Sequence, residues 1–256
     1  MTREEAEKHT ILRAPVGSTI HGLALEGKDD RDEMGVCIEP IEGVVGFTEF
    51  EQYIYRSAAE REGKQDAPSQ PGDLDLTIYS LRKFLRLAMQ GNPSVVNLLF
   101  VSKEQCTTRS VRGAWLQDMA PYIISRQAGF RFLGYLESQR QRLLGERGQK
   151  KVNRPELEEK YGFDTKYAMH ILRLGFQGVE LLSTGRISFP MPEEAHRFTY
   201  DTRLGKVPLQ DVLQKAGKLE REIKDLISDG SPLPEKPDRE RVEKWMIEQY
   251  RGVWHG

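Results

Sequence analysis

Asp30 and Asp32 are separated by one residue, and Asp75 follows in a segment, LDLTIY, that alternates apolar with polar residues. On an extended chain, side chains two apart point to the same side. Carboxylates are hard oxygen ligands suited to Mg2+ or Mn2+, ions that commonly bridge protein to phosphate. Such a set fits transfer of a phosphorus group, where divalent ions neutralise charge building on the reacting phosphate and on departing pyrophosphate. Gly17-Ser18 follows the apolar run Ile11–Val16. Glycine lets the backbone approach a phosphate closely, and the Ser18 hydroxyl and nearby amides can donate to its oxygens. Each signal is weak by itself. An acidic run such as KDDRDE is commonly just solvated, and Asp29 competes with Asp30 as the ligand.

The elements that must carry these residues are readable in outline. Ile11–Val16 predicts a strand running into the Gly17-Ser18 turn, and Gly35–Glu39 a short buried strand. Leu74–Tyr79 predicts a strand with Leu74, Leu76 and Ile78 on one face and Asp75, Thr77 and Tyr79 on the other. Ser80 is placed to cap a helix, SLRKFLRLAMQ, that Gly91 and Pro93 stop. Asn97–Val101 reads as another strand. Residues 57–72, rich in Pro, Gly and Ser, read as a long surface loop with a short helical start, of the kind that serves as a lid or substrate arm. From about residue 115 the periodicity is helical, over 121–144, 155–161, 164–183, 209–228 and 238–250. The fold class is therefore α/β (α+β): a small mixed-sheet core over 1–115 followed by a mainly helical region over 116–256.

The bulk numbers leave room for this and exclude other classes. The chain has 256 residues, 30% charged and 38% hydrophobic, with a formal charge of −1. That suits a globular protein with an ordinary core, and nucleic acid would need a local basic patch. Cys37 and Cys106 make neither a disulfide framework nor a zinc site. No apolar run approaches the roughly 20 residues of a membrane span. The charged start, MTREEAEKHT, lacks the apolar core of a signal peptide. A cytoplasmic protein is expected, with no membrane contact.

The order of these elements resembles the DNA polymerase β nucleotidyltransferase superfamily, and in particular its RNA-ligase-associated branch of predicted nucleotidyltransferases. The segment GSTIHGLALEGKDDRDEMGVCIEP carries the matching Gly17, Ser18, Gly22, Asp30, Asp32, Gly35, Val36 and Pro40. DLTIYSLRKFLRLAMQGNPSVVNLLF carries Asp75, Tyr79, Leu81, Lys83, Phe84, Leu87, Gly91, Asn92 and Pro93. DTKYAMHILRLGFQGVELLSTG resembles a later helix of the family, with Lys166, His170 and Arg173. The resemblance spans about residues 12–190. It favours Asp30 over Asp29 and joins Asp75 to the same site. Superfamily members commonly have Ser before the first aspartate and apolar residues beside the second, whereas this chain has Asp29, Arg31 and Glu33. The added charge is expected to retune metal binding without removing a ligand.

The resemblance implies transfer of a nucleoside monophosphate from an NTP to an acceptor hydroxyl, with Asp30, Asp32 and Asp75 as metal ligands and catalytic carboxylates. Gly17, Ser18, Lys83, Lys166, His170 and Arg173 are the nucleotide-binding candidates. Lys166, His170 and Arg173, at i, i+4 and i+7, share one helix face. His21 is read as a loop-facing polar residue, Asn92 as a turn residue, and the tryptophans as packing or surface anchors. RNA, particularly a tRNA end, is the first expectation for the acceptor, with the basic residues Arg140, Arg142, Arg147, Lys150, Lys151 and Arg154 as one place to meet its backbone. The alternatives are nucleotidylation (AMPylation-type) of a protein hydroxyl, and a module that binds nucleotide or RNA without turnover. The NTP and the oligomeric state are not given by the sequence.

Overall fold

The computed structural model describes residues 1–27, 29–47, 49–146 and 154–254. The chain forms two compact units: residues 1–90 with 94–123 and 237–256, and residues 91–93 with 124–236.

The first unit is built on a five-stranded mixed sheet. Its strands are β1 (Thr10–Pro15), β2 (Arg31–Cys37), β3 (Gln52–Arg56), β4 (Leu74–Ser80) and β5 (Thr108–Arg109). The spatial order is β3-β4-β2-β1-β5. β2 and β4 run parallel, with Asp32 opposite Asp75, and the other pairings are antiparallel. The alternation read in LDLTIY is present, since Leu76 and Ile78 are buried and pack with Ala6, Cys37 and Phe50. Ser80 caps the helix Leu81–Met89 by accepting the Lys83 N–H at 3.1 Å. That helix buries Leu81, Phe84, Leu85 and Ala88, each of the larger side chains contributing about 2 kcal/mol through removal from water. It ends at Gln90, and Gly91 follows with φ of +71°.

Three sequence expectations need correction here. β2 begins at Arg31 rather than Gly35, which places Asp32 inside the ladder. Asn97–Val101 is not a strand: Asn97–Leu99 is a 3-10 turn continuing from the helix Pro93–Val96, and the Phe100 N–H donates to the Asn97 carbonyl at 3.0 Å. A short apolar run buried on all sides has no period to separate strand from helix. The helix expected over 121–144 is two pieces, Ala120–Ile123 and Gln127–Leu143.

The first unit is closed by the helix Arg239–Trp254. The Tyr250 hydroxyl donates to Glu39 at 2.9 Å, the Trp254 indole N–H donates to the Glu39 carbonyl at 3.0 Å, and Arg112 donates to Gln249 at 2.9 Å.

The second unit is helical. Gln127–Leu143, Leu209–Asp225 and Glu193–Arg203 all contact the helix Thr165–Thr184. Asp164 caps that helix by accepting from the Lys166 and Tyr167 amides at 2.9 and 3.1 Å. Gly175 and Gly178 allow the close approach, since a Cβ there would lie 2.8 Å from Leu219 and 2.7 Å from Ile223. Among the described residues, no helix is long and apolar enough to cross a membrane.

Candidate metal and nucleotide site

Asp32 and Asp75 face each other across the parallel β2–β4 pair, so their side chains share one sheet face. Asp30 comes from the turn that leads into β2. One carboxylate oxygen from each of Asp30, Asp32 and Asp75 lies within 4.8 Å of the others, and all three residues are half-buried. This is a hard-oxygen donor set of the size a divalent cation needs. Asp75 Oδ1 is in addition buried without a hydrogen-bond partner. Asp29 is turned to other work. Its side chain accepts the Leu25 N–H at 2.7 Å and its carbonyl accepts the Gly72 N–H at 3.2 Å, so it braces the loop.

The unexpected charges beside Asp32 are settled by strand alternation. Arg31 and Glu33 point to the opposite face, where Glu33 is buried and accepts from Arg13 at 2.6 Å and from Arg31 at 2.9 Å. They neutralise one another within the sheet.

The Gly17-Ser18 turn sits against the same carboxylates. The Val16 N–H donates to the Asp32 carbonyl at 2.9 Å, which ties the turn to β2. Gly17 has φ of +66°, and a Cβ there would stand 2.2 Å from Asp32 Oδ2. Only glycine allows both the conformation and the approach. Ser18 is half-buried in the short helical turn Gly17–Ile20, and its carbonyl accepts the Leu23 N–H at 2.9 Å. His21, expected to face a loop, is fully buried.

Two residues that sequence reasoning missed complete the surroundings. Arg56, at the end of β3, is opposite Asp75 in register, so Arg56, Asp75 and Asp32 form one row across the sheet. Its Nε lies 3.4 Å from Asp75 Oδ1. Ser69 donates to Asp75 Oδ2 at 3.0 Å. The alternation of Tyr53 and Tyr55 in EQYIYR, both packed on the core, was the available signal for this strand.

Lys83 is not brought to the aspartates. It lies beyond the far end of β4 from Asp75, roughly 16 Å of strand rise away, and its ammonium donates to Glu51 at 2.7 Å. Hydrogen bonds from Lys83 and then Arg86 hold the Glu51 carboxyl down to about 2.

Lys166, His170 and Arg173 belong to the second unit, on one face of the helix Thr165–Thr184. Burial, followed by the charges of Arg173, Lys166, Arg154 and Arg203, holds the His170 imidazole well below its ordinary range. It is neutral at pH 7, with one nitrogen able to donate and the other to accept. Among the basic run, Arg140 is bonded to Glu137 and Glu220 and Arg154 to Asp164 at 2.9 Å. Arg147, Lys150 and Lys151 lie outside the described residues. The Asn92 amide donates to the Tyr135 hydroxyl at 3.3 Å.

Comparison with known proteins places the chain. No curated protein matches it. It is similar to a solved nucleotidyltransferase-like protein from Exiguobacterium sibiricum, 12% identical, over 97% of this chain and 76% of that one, with a TM-score of 0.30, a likeness too distant to bear on individual residues. The family model RlaP, the RNA repair pathway DNA polymerase beta family, matches residues 1–248. The chain therefore belongs to the RNA repair pathway DNA polymerase beta family and is a polymerase β-type nucleotidyltransferase.

Proposed function

We propose that the protein transfers a nucleoside monophosphate from an NTP to an acceptor hydroxyl, releasing pyrophosphate, and that the acceptor is RNA. The observation that carries the reading is the convergence of Asp30, Asp32 and Asp75 within 4.8 Å, beside a turn where Gly17 must be glycine. In this reading Asp30, Asp32 and Asp75 hold Mg2+ or Mn2+. A bound divalent ion supplies neutralisation of charge on the transferring phosphate and on pyrophosphate. The Gly17-Ser18 turn, fixed to β2, holds phosphate oxygens through the Ser18 hydroxyl and adjacent amides. Asp75, whose Oδ2 already accepts a hydrogen bond from the Ser69 hydroxyl, takes up the proton of the acceptor hydroxyl. Within the helical unit, the face of Lys166, His170 and Arg173 binds phosphate of the nucleotide or acceptor, the cations by charge and neutral His170 by its single N–H. The family description supports RNA as the acceptor class.

The test is incubation with each α-labelled NTP, with Mg2+ or Mn2+, and total RNA. Label is expected on RNA with the wild type and absent with the Asp30→Ala, Asp32→Ala double variant. Label that appears on protein instead would overturn the acceptor. No transfer to either, with either metal, would sink the reading.

A further inference from the structure

The segment between the helix Ser57–Glu62 and β4 is built as two separate clasps. Its C-terminal end is fixed by Asp73, which accepts from Ser57 at 2.9 Å, from Arg61 at 2.6 Å and from the Gln70 amide at 2.7 Å. Its middle is fixed by Arg56. Nη1 donates to the Gln65 carbonyl at 2.7 Å, and Nη2 to the Ala67 carbonyl at 3.0 Å and Ser69 Oγ at 2.9 Å. The same guanidinium turns its Nε toward Asp75 Oδ1 at 3.4 Å, while Ser69 donates to Asp75 Oδ2. One arginine thus joins the third carboxylate of the cluster to a stretch of chain whose other anchors are few: Ala67 is buried and its N–H donates to the Lys64 carbonyl at 3.2 Å, while Lys64, Gln65, Asp66 and Pro68 are exposed.

We propose that Arg56 competes with a divalent cation for Asp75 and couples that carboxylate to the 64–69 segment, so that a divalent cation at the three aspartates frees the segment. This rests on the reading of Asp30, Asp32 and Asp75 as a metal site. The physical argument is competition for one carboxylate. Asp75 lies within reach of both a guanidinium and the neighbouring aspartates, and a divalent ion drawn to the aspartates is repelled by the fixed positive charge a few ångströms away. A cation that engages Asp75 weakens its hold on Arg56 and on Ser69, and with it the bonds that pin Gln65, Ala67 and Ser69. The Asp73 clasp does not involve Asp75, so the release is confined to the middle of the segment.

Two measurements test this. Mn2+ binding, followed by loss of the free-ion electron paramagnetic resonance signal, is expected to be roughly three- to tenfold tighter in Arg56→Gln, which removes the charge, and near wild type in Arg56→Lys. A residue needed only for folding would weaken binding when replaced. Trypsin cleavage after Lys64 is expected to accelerate in the wild type when Mn2+ is added. In Arg56→Gln, which removes the bonds to Gln65, Ala67 and Ser69 and whose Mn2+ binding reports that the site is folded, cleavage is expected to be fast with or without Mn2+. Unchanged or weaker Mn2+ affinity in Arg56→Gln, or wild-type cleavage that Mn2+ leaves unaltered or slows, overturns the coupling. If Mn2+ binds and Asp30→Asn abolishes the binding, the metal site stands even where the coupling fails. If the wild type binds no Mn2+, both fall.

Discussion

Replacing Gly17 with alanine separates the two things that glycine does beside Asp32. The first is conformational: φ is +66°, and a residue bearing a Cβ there costs about 1–2 kcal/mol. The second is space: the new Cβ would stand 2.2 Å from Asp32 Oδ2, more than 1 Å inside ordinary van der Waals contact. Because Val16 is tied to the Asp32 backbone at 2.9 Å, the turn cannot back away cheaply and the carboxylate must swing. Gly27 is the control, with φ of +66° and nothing within 4 Å of an added Cβ. Gly27→Ala should show the backbone cost alone, a melting temperature lower by about 2–8 °C for a chain of this size, with Mn2+ affinity unchanged. Gly17→Ala should show at least that loss and, in addition, Mn2+ affinity and nucleotidyl transfer reduced by about tenfold or more, the scale seen when a ligand's support is disturbed. Calorimetric melting and Mn2+ titration of both variants decide it. If Gly17→Ala binds Mn2+ and transfers nucleotide as Gly27→Ala does, the close approach to Asp32 does not shape the site.

Other outcomes follow from the same geometry. Asp75→Asn and Asp30→Asn should each reduce transfer roughly a hundred- to ten-thousandfold, the equivalent of several kcal/mol of transition-state stabilisation, while leaving the melting temperature near wild type; retention of most activity in either would remove that residue from the site. Lys83→Ala should leave kcat and KM unchanged and cost under about 1 kcal/mol, since it breaks only the ion pair with Glu51; a loss of turnover would return Lys83 to the nucleotide. Tyr250→Phe should destabilise by about 1–3 kcal/mol in urea melts, because it strips a hydrogen bond from the buried Glu39 carboxyl; a neutral result would mean the last helix is held by other contacts. Burial raises the Glu39 pKa, against the opposing hydrogen bonds of Tyr250 and Leu81. A carboxyl raised in the folded state gives stability that is full below its unfolded value and lost as pH climbs through the folded one. Glu39→Gln should therefore flatten the fall in urea midpoint with rising pH, and parallel profiles for variant and wild type would refute this.

Much of the framework around the candidate site was legible because its signals are local. The alternation of Leu74–Tyr79, the Ser80 cap and the Gly91 stop each depend on neighbours within a few residues, and all three appear where expected. Asp30 could be preferred to Asp29 only through the resemblance. Nothing in KDDRDE says that Asp29 will bond Leu25 while its neighbour faces Asp75. Arg56 was missed because its importance is a register: it matters only once β3 lies antiparallel to β4 with Arg56 opposite Asp75. Lys83 misled for the converse reason. It is near Asp75 in sequence, and the intervening strand carries it away toward Glu51. Ser69 drew no notice inside a polar loop, where one serine looks like another until a carboxylate is found beside it.

The helix Arg239–Trp254 has a consequence for how the protein is made. Tyr250 meets Glu39 across 211 residues of sequence, and the whole helical unit is synthesised between the two partners. On the ribosome, the strands bearing the aspartates emerge before the helical unit and must wait, with Glu39 lacking its lid, until the helix Arg239–Trp254 has cleared the exit tunnel. Contacts of such long range form slowly, and a half-finished sheet unit is open to aggregation in the interval. A released chain truncated before residue 239 should therefore present a folded helical unit and an unfinished sheet unit, with Glu39 left without the Tyr250 hydroxyl that covers it.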